Sequence, residues 1–469
     1  MFEVHKKWSA MLHNHSFVYI FFLGITLIIY FPVFQFTFFQ DDYVWISHAK
    51  DVWAGNAHII TLRISNFVMP TVYAYFAIYV KLFGLASSWY YLANILLHAL
   101  NALLIYKITQ KILPTNIAFL SSILFLVLRY PLESVSWISA VTVLLTTCFL
   151  LLSGLYWLTF LTSKNPKHYI LFLLASFMLV FTKEWSILLI PFIIMVHTLF
   201  CMRTNQPIYH KKYILYLIPL VGIFLSYGLI ELSIQHNTNA LITKGYYKIG
   251  WHSIPNIVSN ILLTFVPLTN LAHTEPVWWL AMSTIILVAG LASGIYIVIK
   301  KKNPLVFGII WMIISFLPTS FFTWDPYVSR YAYIPAIGAA LCIGYGITLI
   351  QNSLRKQWIT RTAIILVILY GMINVLFTYR VLNNLYKPIH EENIRFANAL
   401  YEIEDKLDKS NDLAIYYDTP HKAFILPEIF HTLINIPTHK VHVIHTNEEC
   451  TEYNQCYAWN PTKKIIEQL

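Results

Sequence analysis

The stretch SFVYIFFLGITLIIYFPVFQFTFF, residues Ser16–Phe39, decides the fold class of this chain. It is apolar almost throughout, and it is longer than the roughly 20 residues that a helix needs to cross a bilayer. No small-residue cleavage site follows it, so we expect a permanent first transmembrane helix rather than a removable signal peptide. Immediately after it the chain becomes polar, at Gln40–Asp41–Asp42–Tyr43. The first predicted span therefore ends at a pair of carboxylates.

The composition of the whole chain agrees with a membrane protein. Of its 469 residues 58% are hydrophobic, 16% are aromatic and only 12% are charged, whereas soluble domains contain about 25% charged residues. The formal net charge is +10, which in a soluble protein would suggest a nucleic-acid partner. Here the basic residues lie between apolar runs, so membrane topology explains them better. These features exclude a soluble globular fold and argue against nucleic-acid binding.

Further apolar runs follow the first one. We predict spans at Trp89–Tyr106, Thr115–Leu128, Val135–Leu161, His168–Phe181, Trp185–Cys201, Tyr213–Ile230, Val277–Ile299, Leu305–Phe322, Tyr331–Ile350 and Thr362–Tyr379. Together with the first they predict an all-α polytopic protein of about 11 transmembrane helices. Phe67–Phe83 and Ile254–Thr269 are ambiguous, because each could span the membrane or lie along its interface as an amphipathic helix.

Charge indicates the orientation. If the N-terminus is cytoplasmic and neither ambiguous stretch crosses, the cytoplasmic ends and loops collect most of the basic residues before residue 380, as the positive-inside rule predicts. They are Lys6, Lys7, Lys107, Lys111, Lys164, Lys167, Arg203, Lys211, Lys212, Lys300, Lys301, Lys302, Arg355, Lys356 and Arg361. Before residue 380 every acid except Glu3 then falls on the external side, namely Asp41, Asp42, Asp51, Glu133, Glu184, Glu231, Glu275 and Asp325. This clustering suggests an external site, although topology alone could leave the acids behind.

From Arg380 onward the chain is more polar. Its elements are predicted, in order, as a polar helix, a strand, a helix and a second strand, at Leu382–Leu407, Leu413–Tyr417, Ala423–Leu433 and Lys440–Ile444. We therefore predict a transmembrane domain, residues 1–379, and a small α/β extracytoplasmic C-terminal domain, residues 380–469. Cys450 and Cys456 could form a disulfide if this tail lies in an oxidising compartment.

The Asp41–Asp42 pair is the first candidate for chemistry. Two carboxylates at a membrane boundary are costly unless they are solvated, paired or used. Burial can raise the pKa of one and leave the other ionised, which suits a general base that takes a proton from an acceptor. The oxygens, those of Asp42 included, could also hold a divalent cation. The plainer alternative is a solvated loop with Asp42 as a helix N-cap.

Further charged and aromatic residues lie in other predicted external loops. They are Glu133 in the loop Arg129–Trp137, Lys183 and Glu184 in a tight turn, Arg330, Tyr331 and Tyr333 in the segment Trp324–Pro335, and Lys248 in a basic-aromatic loop that also contains Lys244 and His252. An arginine between aromatic residues can bind a lipid phosphate bidentately, or it can simply extend to the membrane surface. Lys183 and Glu184 could equally pair with each other. No phosphate-binding glycine loop, zinc pattern or serine-nucleophile motif is present in the sequence.

Taken in order, FFQDDYVWI, SSWYYLANILLHALNALLIY, YPLESVSWISA, TKEWSILLIPF and SRYAYIPAIG resemble the motifs of the GT-C superfamily of membrane glycosyltransferases. The closest similarity is to the protein O-mannosyltransferase-like branch, which acts on dolichyl-phosphate-mannose. The resemblance implies a polyprenyl-phosphate sugar donor, an extracytoplasmic acceptor and interfacial helices in the first external loop. It also implies a multi-pass protein with a cytoplasmic N-terminus and an external C-terminus, in a bacterial or archaeal plasma membrane rather than the endoplasmic reticulum.

Residue roles follow from the same resemblance. Asp41 or Asp42 would be the catalytic base or the acid that positions the acceptor, with Asp41 favoured. Arg330, together with Lys183 or Lys248, would bind the donor phosphate, and the cavity-lining or structural residues would be Glu133, Glu184, Tyr331 and Tyr333. The chain departs from the family at Tyr130, where a histidine is common, and in its C-terminal part, which resembles neither a tetratricopeptide array nor a β-trefoil. The identities of the sugar and acceptor therefore stay open.

Other functions fit parts of the sequence. A transporter or lipid flippase would place charged groups near the bilayer midplane and often contains inverted repeats, whereas the predicted spans are almost free of acids and no repeat is evident. A non-catalytic scaffold that binds a lipid carrier is a second alternative. A third is a polysaccharide polymerase or ligase that uses a diphosphate-linked glycan.

Overall fold

The computed structural model describes residues 11–60, 62, 68–207, 211–234, 245–266, 304–323, 328–354, 357–416, 425–444, 447–460 and 463–468. The helices in these residues are α1 (His15–Tyr30), α2 (Asp41–Ala54), α3 (Pro70–Phe83), α4 (Ser87–Ile112), α5 (Thr115–Val127), α6 (Val141–Ser163), α7 (Pro166–Val180), α8 (Leu189–Thr204), α9 (Lys211–Ile234), α10 (Ser253–Phe265), α11 (Pro304–Ser320), α12 (Ala336–Leu354), α13 (Gln357–Val381), α14 (Lys387–Ile403) and α15 (Leu426–Ile434). Short helical turns lie between several of them, including Glu133–Ser136 before α6 and Glu184–Leu188 before α8.

The helical class predicted from composition is confirmed. Within the described residues six helical segments are long and apolar enough to cross a membrane, and a seventh results if the bent pair Thr115–Val127 and Tyr130–Ser136 forms one span. Shorter apolar helices include α7, α11 and most of α12. The span predicted at Val277–Ile299 lies outside the described residues, so the total of about 11 stays a prediction.

Helix α4 lies at the centre of the bundle and packs against α1, α5 and α6. Its buried polar side chains bond across to other elements: Asn101 donates to the Leu144 carbonyl at 3.1 Å, and Asn94 donates to the Trp137 carbonyl at 3.0 Å. Buried polar groups in an apolar bundle must be paired because unsatisfied ones are costly. These bonds fix the start of α6, and the loop before it, against α4.

Helices α2 and α3 form a pair outside the bundle. The prediction that Phe67–Phe83 does not cross the membrane agrees with α3, whose 14 residues would extend about 21 Å, less than the roughly 30 Å hydrocarbon core. Helix α3 packs along α2, and the Thr71 N–H donates to the Phe181 carbonyl at the end of α7, at 3.1 Å. Helix α2 ends at Gly55, whose φ of +80° suits a glycine. The second ambiguous stretch contains α10, which has 13 residues.

The C-terminal part is α/β, as predicted. Its strands β1 (Leu413–Tyr416), β2 (Val441–Ile444), β3 (Gln455–Asn460) and β4 (Ile465–Gln468) form one sheet in the order β2-β1-β3-β4. Strand β1 is parallel to β2 and β3, whereas β4 is antiparallel to β3. Cys450 and Cys456 are joined by a disulfide. The sequence patterns indicated β1, β2 and α15 but missed β3 and β4.

Two features connect the sheet to the membrane region. Helix α13 continues through a π-helical turn, Leu382–Tyr386, directly into α14, so no break in the helix marks residue 380. Helix α15 packs on α2, where the Thr432 hydroxyl donates to the Tyr43 carbonyl at 3.2 Å. The helix that carries Asp41 and Asp42 is therefore enclosed between the bundle and the C-terminal domain.

Candidate functional site

Asp42 is fully buried at the start of α2. Its carboxylate accepts hydrogen bonds from the Phe39 N–H at 2.8 Å, from the Ser139 N–H at 2.7 Å and from the Ser139 hydroxyl. Burial raises the pKa of Asp42 to about 7, against the opposing effect of these hydrogen bonds. The solvated loop that the sequence allowed is therefore wrong. Through these hydrogen bonds Asp42 connects Phe39, in the segment after α1, to Ser139, just before α6.

Asp41 is in a different environment, although it is the adjacent residue. It is half-buried in the first turn of α2, where the helix dipole favours a negative charge. Gln40, which precedes it, has a φ of +45° and a ψ of −120°, an unusual conformation for a residue with a side chain. Burial raises the pKa of Asp41, and the positive charges of Arg330 and Lys183 oppose that rise. Among the described residues, none donates a hydrogen bond to its carboxylate.

Arg330 and Glu133 meet beside Asp41. The Arg330 guanidinium donates to Glu133 at 2.5 Å, and the backbone N–H of Arg330 donates to the other oxygen of the same carboxylate at 3.2 Å. The guanidinium also lies 4.7 Å from the centre of the Trp137 ring. Burial on its own would lower the pKa of Arg330, but the Glu133 carboxylate holds it above its ordinary value. The guanidinium therefore stays charged and is fixed in orientation, which suits recognition of an anion.

Lys183 supplies the second positive charge. Its ammonium lies 4.9 Å from the centre of the Trp185 ring and interacts electrostatically with Asp41, Glu184 and Arg330. Burial lowers its pKa. Among the described residues, no acid lies within 4 Å of the ammonium, so the close Lys183–Glu184 pair that the sequence allowed does not form. Within the described residues the Lys183 ammonium donates no hydrogen bond, so Lys183 is a half-buried cation whose donors are available to a ligand.

The remaining predicted residues lie at different distances from this cluster. Tyr331 is part of its wall, because its ring contacts Trp185 at 5.5 Å between centres and lies 5.2 Å from the Arg330 guanidinium. Tyr333 is fully buried and its hydroxyl bonds to His98 and Asn101 of α4, at 2.7 and 3.2 Å. It belongs to the packing of the bundle.

Glu184 and Lys248 differ in their surroundings, because one oxygen of the Glu184 carboxylate is buried and Lys248 is exposed. Glu184 interacts electrostatically with Lys183 and Tyr247. Lys248 is exposed, and its backbone N–H donates to the Phe321 carbonyl at 3.0 Å. The loop that carries Lys248 reaches the cluster through Tyr247 and Phe322, whose ring stacks on Tyr331. The Lys244 side of this loop and residues Trp324–Tyr327 lie outside the described residues.

Two contributors were missed in the sequence. Ser139 binds Asp42 through both its N–H and its hydroxyl, and Tyr386 interacts with Glu133, Ser136 and Arg330. Tyr386 lies in the π-helical turn between α13 and α14, a distortion that often occurs at functional sites. No sequence signal distinguished either residue, because a serine in an apolar segment and a tyrosine in a polar helix are both ordinary.

A divalent cation does not fit those residues around Asp41 that the structure describes. Both Asp42 oxygens already accept hydrogen bonds, and Glu133 is paired with Arg330. The positive charges of Arg330 and Lys183 next to Asp41 would repel a divalent metal ion. Within the described residues no group of three His, Cys, Asp or Glu side chains is arranged to hold a metal.

No family model matches the sequence, and no curated protein matches it. Solved structures do match the fold. ArnT from Cupriavidus metallidurans matches in the apo state with a TM-score of 0.56, 14% identity and coverage of 92% of this chain and 87% of that one. The complex of the same protein with undecaprenyl phosphate matches with a TM-score of 0.55, 12% identity and coverage of 94% and 93%.

The archaeal oligosaccharyltransferase AglB from Archaeoglobus fulgidus also matches, in complex with an inhibitory peptide and a dolichol-phosphate. Its TM-score is 0.53 with 11% identity, over 90% of this chain and 64% of that chain. This chain therefore spans less than two thirds of the oligosaccharyltransferase. At such identities the likeness concerns the fold alone, and it confirms the predicted GT-C-like fold of a polytopic membrane protein. The O-mannosyltransferase-like branch stays a prediction.

Proposed function

We propose that this GT-C-fold membrane protein transfers a sugar from a polyprenyl-phosphate carrier to an extracytoplasmic acceptor. The observation that carries the proposal is the meeting of Asp41 with Arg330 and Lys183 at the start of α2. A base beside two cations suits transfer from a phosphate leaving group, because the base takes the acceptor proton and the cations stabilise the charge on the departing phosphate. The matching structures support the choice of carrier, because ArnT was solved with undecaprenyl phosphate and AglB with a dolichol-phosphate.

In the proposed reaction Asp41 is the base. Its carboxylate takes the proton of the acceptor hydroxyl or amine as the acceptor atom attacks the anomeric carbon. The bond from that carbon to the phosphate oxygen breaks, and the electron pair stays on the phosphate. Lys183 and Arg330 stabilise the charge that develops there. Direct displacement inverts the anomeric carbon, and the raised pKa of Asp41 brings its basicity closer to the working pH.

Asp42 and Glu133 act through their neighbours in this proposal. Asp42 holds Phe39 and Ser139 together and so fixes the entry to α2. Glu133 orients Arg330 while leaving part of the guanidinium, whose side chain is 24% exposed, for the phosphate. Lys248 lies in a loop that borders the site, so any contribution it makes to binding of the donor phosphate comes from there. The Cys450–Cys456 disulfide supports an external C-terminal domain, since disulfides persist in oxidising compartments.

The proposal is tested with the full-length protein in proteoliposomes that contain a radiolabelled polyprenyl-phosphate hexose. Membrane and extracytoplasmic fractions serve as the acceptor pool, and label in the acceptor is counted. Asp41→Asn should lower the rate about 10²–10⁴-fold, the usual contribution of a general base. Lys183→Met should weaken donor binding. The controls are Asp405→Asn and Lys406→Met, since both side chains are exposed in the C-terminal domain.

The same assay separates the rival functions. A flippase would move labelled lipid between leaflets without producing labelled acceptor, and a scaffold would bind the lipid without either event. A polymerase or ligase would require a diphosphate-linked glycan in place of the monophosphate donor. Wild-type transfer by Asp41→Asn would remove Asp41 from the mechanism, and no transfer from any polyprenyl-phosphate sugar by the wild-type chain would reject the proposed donor class.

A further inference from the structure

An open cavity with charged side chains in its lining lies away from the Asp41 cluster, where α2, α3 and α15 meet. Its volume is about 400 Å³. Its charged and polar lining side chains include Lys50, Asp51, Trp53, Lys81, His431 and Asn435. It is formed by the last turns of α2 and α3 together with α15 of the C-terminal domain. None of these residues takes part in the proposed sugar transfer.

Two lysines give this cavity its binding character. The Lys50 ammonium donates to the Thr432 carbonyl at 2.5 Å and to the Asn435 side-chain oxygen at 2.9 Å, which leaves the third of its N–H groups for a ligand. The Lys81 ammonium lies 4.9 Å from the centre of the Trp53 ring, and its side chain is exposed. Both ammonium groups therefore have N–H donors that are available to a ligand within one cavity.

The net charge of the cavity is positive by one unit. Asp51 supplies one negative charge, and its carboxylate lies 3.7 Å from the His431 ring. Burial lowers the pKa of His431, so its ring is neutral near pH 7. Lys50 and Lys81 then exceed Asp51 by one charge. A ligand group with a single negative charge is the electrostatic match.

The surface beside the cavity is apolar and exposed. On α3, Ile78 is 54% exposed and Leu82 is 66% exposed, and on α2, Trp53 is 53% exposed. The opposite side of α3 is buried against the protein through Val72 and Phe76. An amphipathic helix that exposes aliphatic side chains next to a tryptophan and a lysine is typical of the membrane interface. The cavity therefore opens where lipid headgroups and acyl chains meet.

We propose that this cavity binds the headgroup of an anionic glycerophospholipid with one negative charge, of the phosphatidylglycerol type. The lipid phosphate lies between Lys50 and Lys81, and its acyl chains extend along Ile78 and Leu82. Because Lys50 also bonds to the C-terminal domain, the bound lipid strengthens the contact between α2 and α15. The inference does not depend on the chemistry of the Asp41 cluster.

The test measures lipid binding and does not use transferase activity. The full-length protein, purified in detergent, is titrated with phosphatidylglycerol or phosphatidylcholine, and binding is followed by native mass spectrometry and by Tm. One lysine near an anionic lipid contributes about fivefold in affinity, so Lys81→Gln should weaken phosphatidylglycerol binding about fivefold and Lys50→Gln/Lys81→Gln about 25-fold. Lys406→Gln/Lys463→Gln removes the same charge from exposed positions and should leave binding unchanged.

The single Lys81→Gln variant guards against loss of folding in the double variant, because among the described residues no hydrogen bond or ion pair joins Lys81 to the C-terminal domain. Equal stabilisation by phosphatidylglycerol and phosphatidylcholine would overturn the proposal. So would unchanged phosphatidylglycerol binding by Lys81→Gln and the double variant. Free glycerol 3-phosphate is the third ligand tested. If this anion raises Tm as much as phosphatidylglycerol does, and Lys81→Gln abolishes that rise, the cavity is a site for a soluble anion and the lipid proposal is rejected.

Discussion

Asp41 and Asp42 are adjacent in sequence, but we predict different effects of substituting them. Substitution of Asp42 should lower the stability of the fold, whereas substitution of Asp41 should lower the rate of sugar transfer and leave stability nearly unchanged. Asp42→Ala removes the acceptor for two buried backbone N–H groups, those of Phe39 and Ser139. Each unsatisfied buried group costs about 1–3 kcal/mol, so the loss is about 2–6 kcal/mol. Asp41→Asn breaks no hydrogen bond among the described residues and should change the free energy of unfolding by about 0.5 kcal/mol or less.

The assay measures Tm and sugar transfer for the same purified proteins. Asp42→Ala should show a clearly lower Tm and poor recovery, whereas Asp41→Asn should keep the wild-type Tm while transfer falls about 10²–10⁴-fold. Ser139→Ala serves as an intermediate, because it removes only the hydroxyl donor and leaves the backbone bond to Asp42. The exposed Asp405→Asn is the neutral control.

Two results would refute this reasoning. If Asp42→Ala unfolds at the wild-type temperature, its three hydrogen bonds do not fix the entry to α2. If Asp41→Asn lowers Tm as much as Asp42→Ala does, Asp41 has a structural role that its half-buried position does not suggest. A loss of transfer with no loss of Tm in Asp42→Ala would assign the base to Asp42 instead.

Further predictions concern pH, metal and packing. Because burial raises the pKa of folded Asp42 from 3.8 to about 7, the folded chain keeps a proton between these values that the unfolded chain has lost. The contribution of this group to stability is therefore lost as pH rises towards 7, so the Tm advantage of wild type over Asp42→Asn should shrink from pH 5 to pH 8. Burial lowers the pKa values of His48 and His431, so their contribution to stability grows as pH rises, but it is the same in wild type and in Asp42→Asn. A difference in Tm between the two proteins that stays constant from pH 5 to pH 8 would contradict the raised pKa of Asp42. Transfer should be unaffected by a chelator. A chelator-sensitive rate that Mg²⁺ or Mn²⁺ restores would show that a divalent cation takes part in the reaction. Gly338→Ala should lower the free energy of unfolding by about 1–3 kcal/mol, because the added Cβ would meet the Gly308 carbonyl between α11 and α12. Gly346→Ala is the matched control: no atom lies within 4 Å of its added Cβ, so its Tm should equal that of wild type.

Membrane topology was largely predictable from the sequence, because hydropathy and charge act locally. The run Ser16–Phe39 contains α1, and the run Trp89–Tyr106 lies within α4. Errors arose where an apolar run contains a bend. The predicted span Val135–Leu161 begins before α6, since Trp137 has an extended backbone and a helical turn precedes it. Burial inside a bundle permits such breaks, and hydropathy cannot detect them.

The candidate site was only partly predictable. Motif order pointed to Glu133, Lys183 and Arg330 as well as to Asp41, and the structure brings these four together. Sequence reasoning left Glu133 and Lys183 as possible wall or structural residues. The ion pair of Glu133 with Arg330 joins residues 197 positions apart in the chain, so no local pattern could have indicated it.

The sequence by itself determined that this is a polytopic membrane protein with acids concentrated at one predicted face, because the cost of placing charge in hydrocarbon acts on every segment independently. Only the tertiary structure decided which carboxylate is available. Asp41 and Asp42 are identical side chains in adjacent positions, but successive residues of a helix point in different directions. One consequently lies buried against Ser139, and the other faces Arg330 and Lys183.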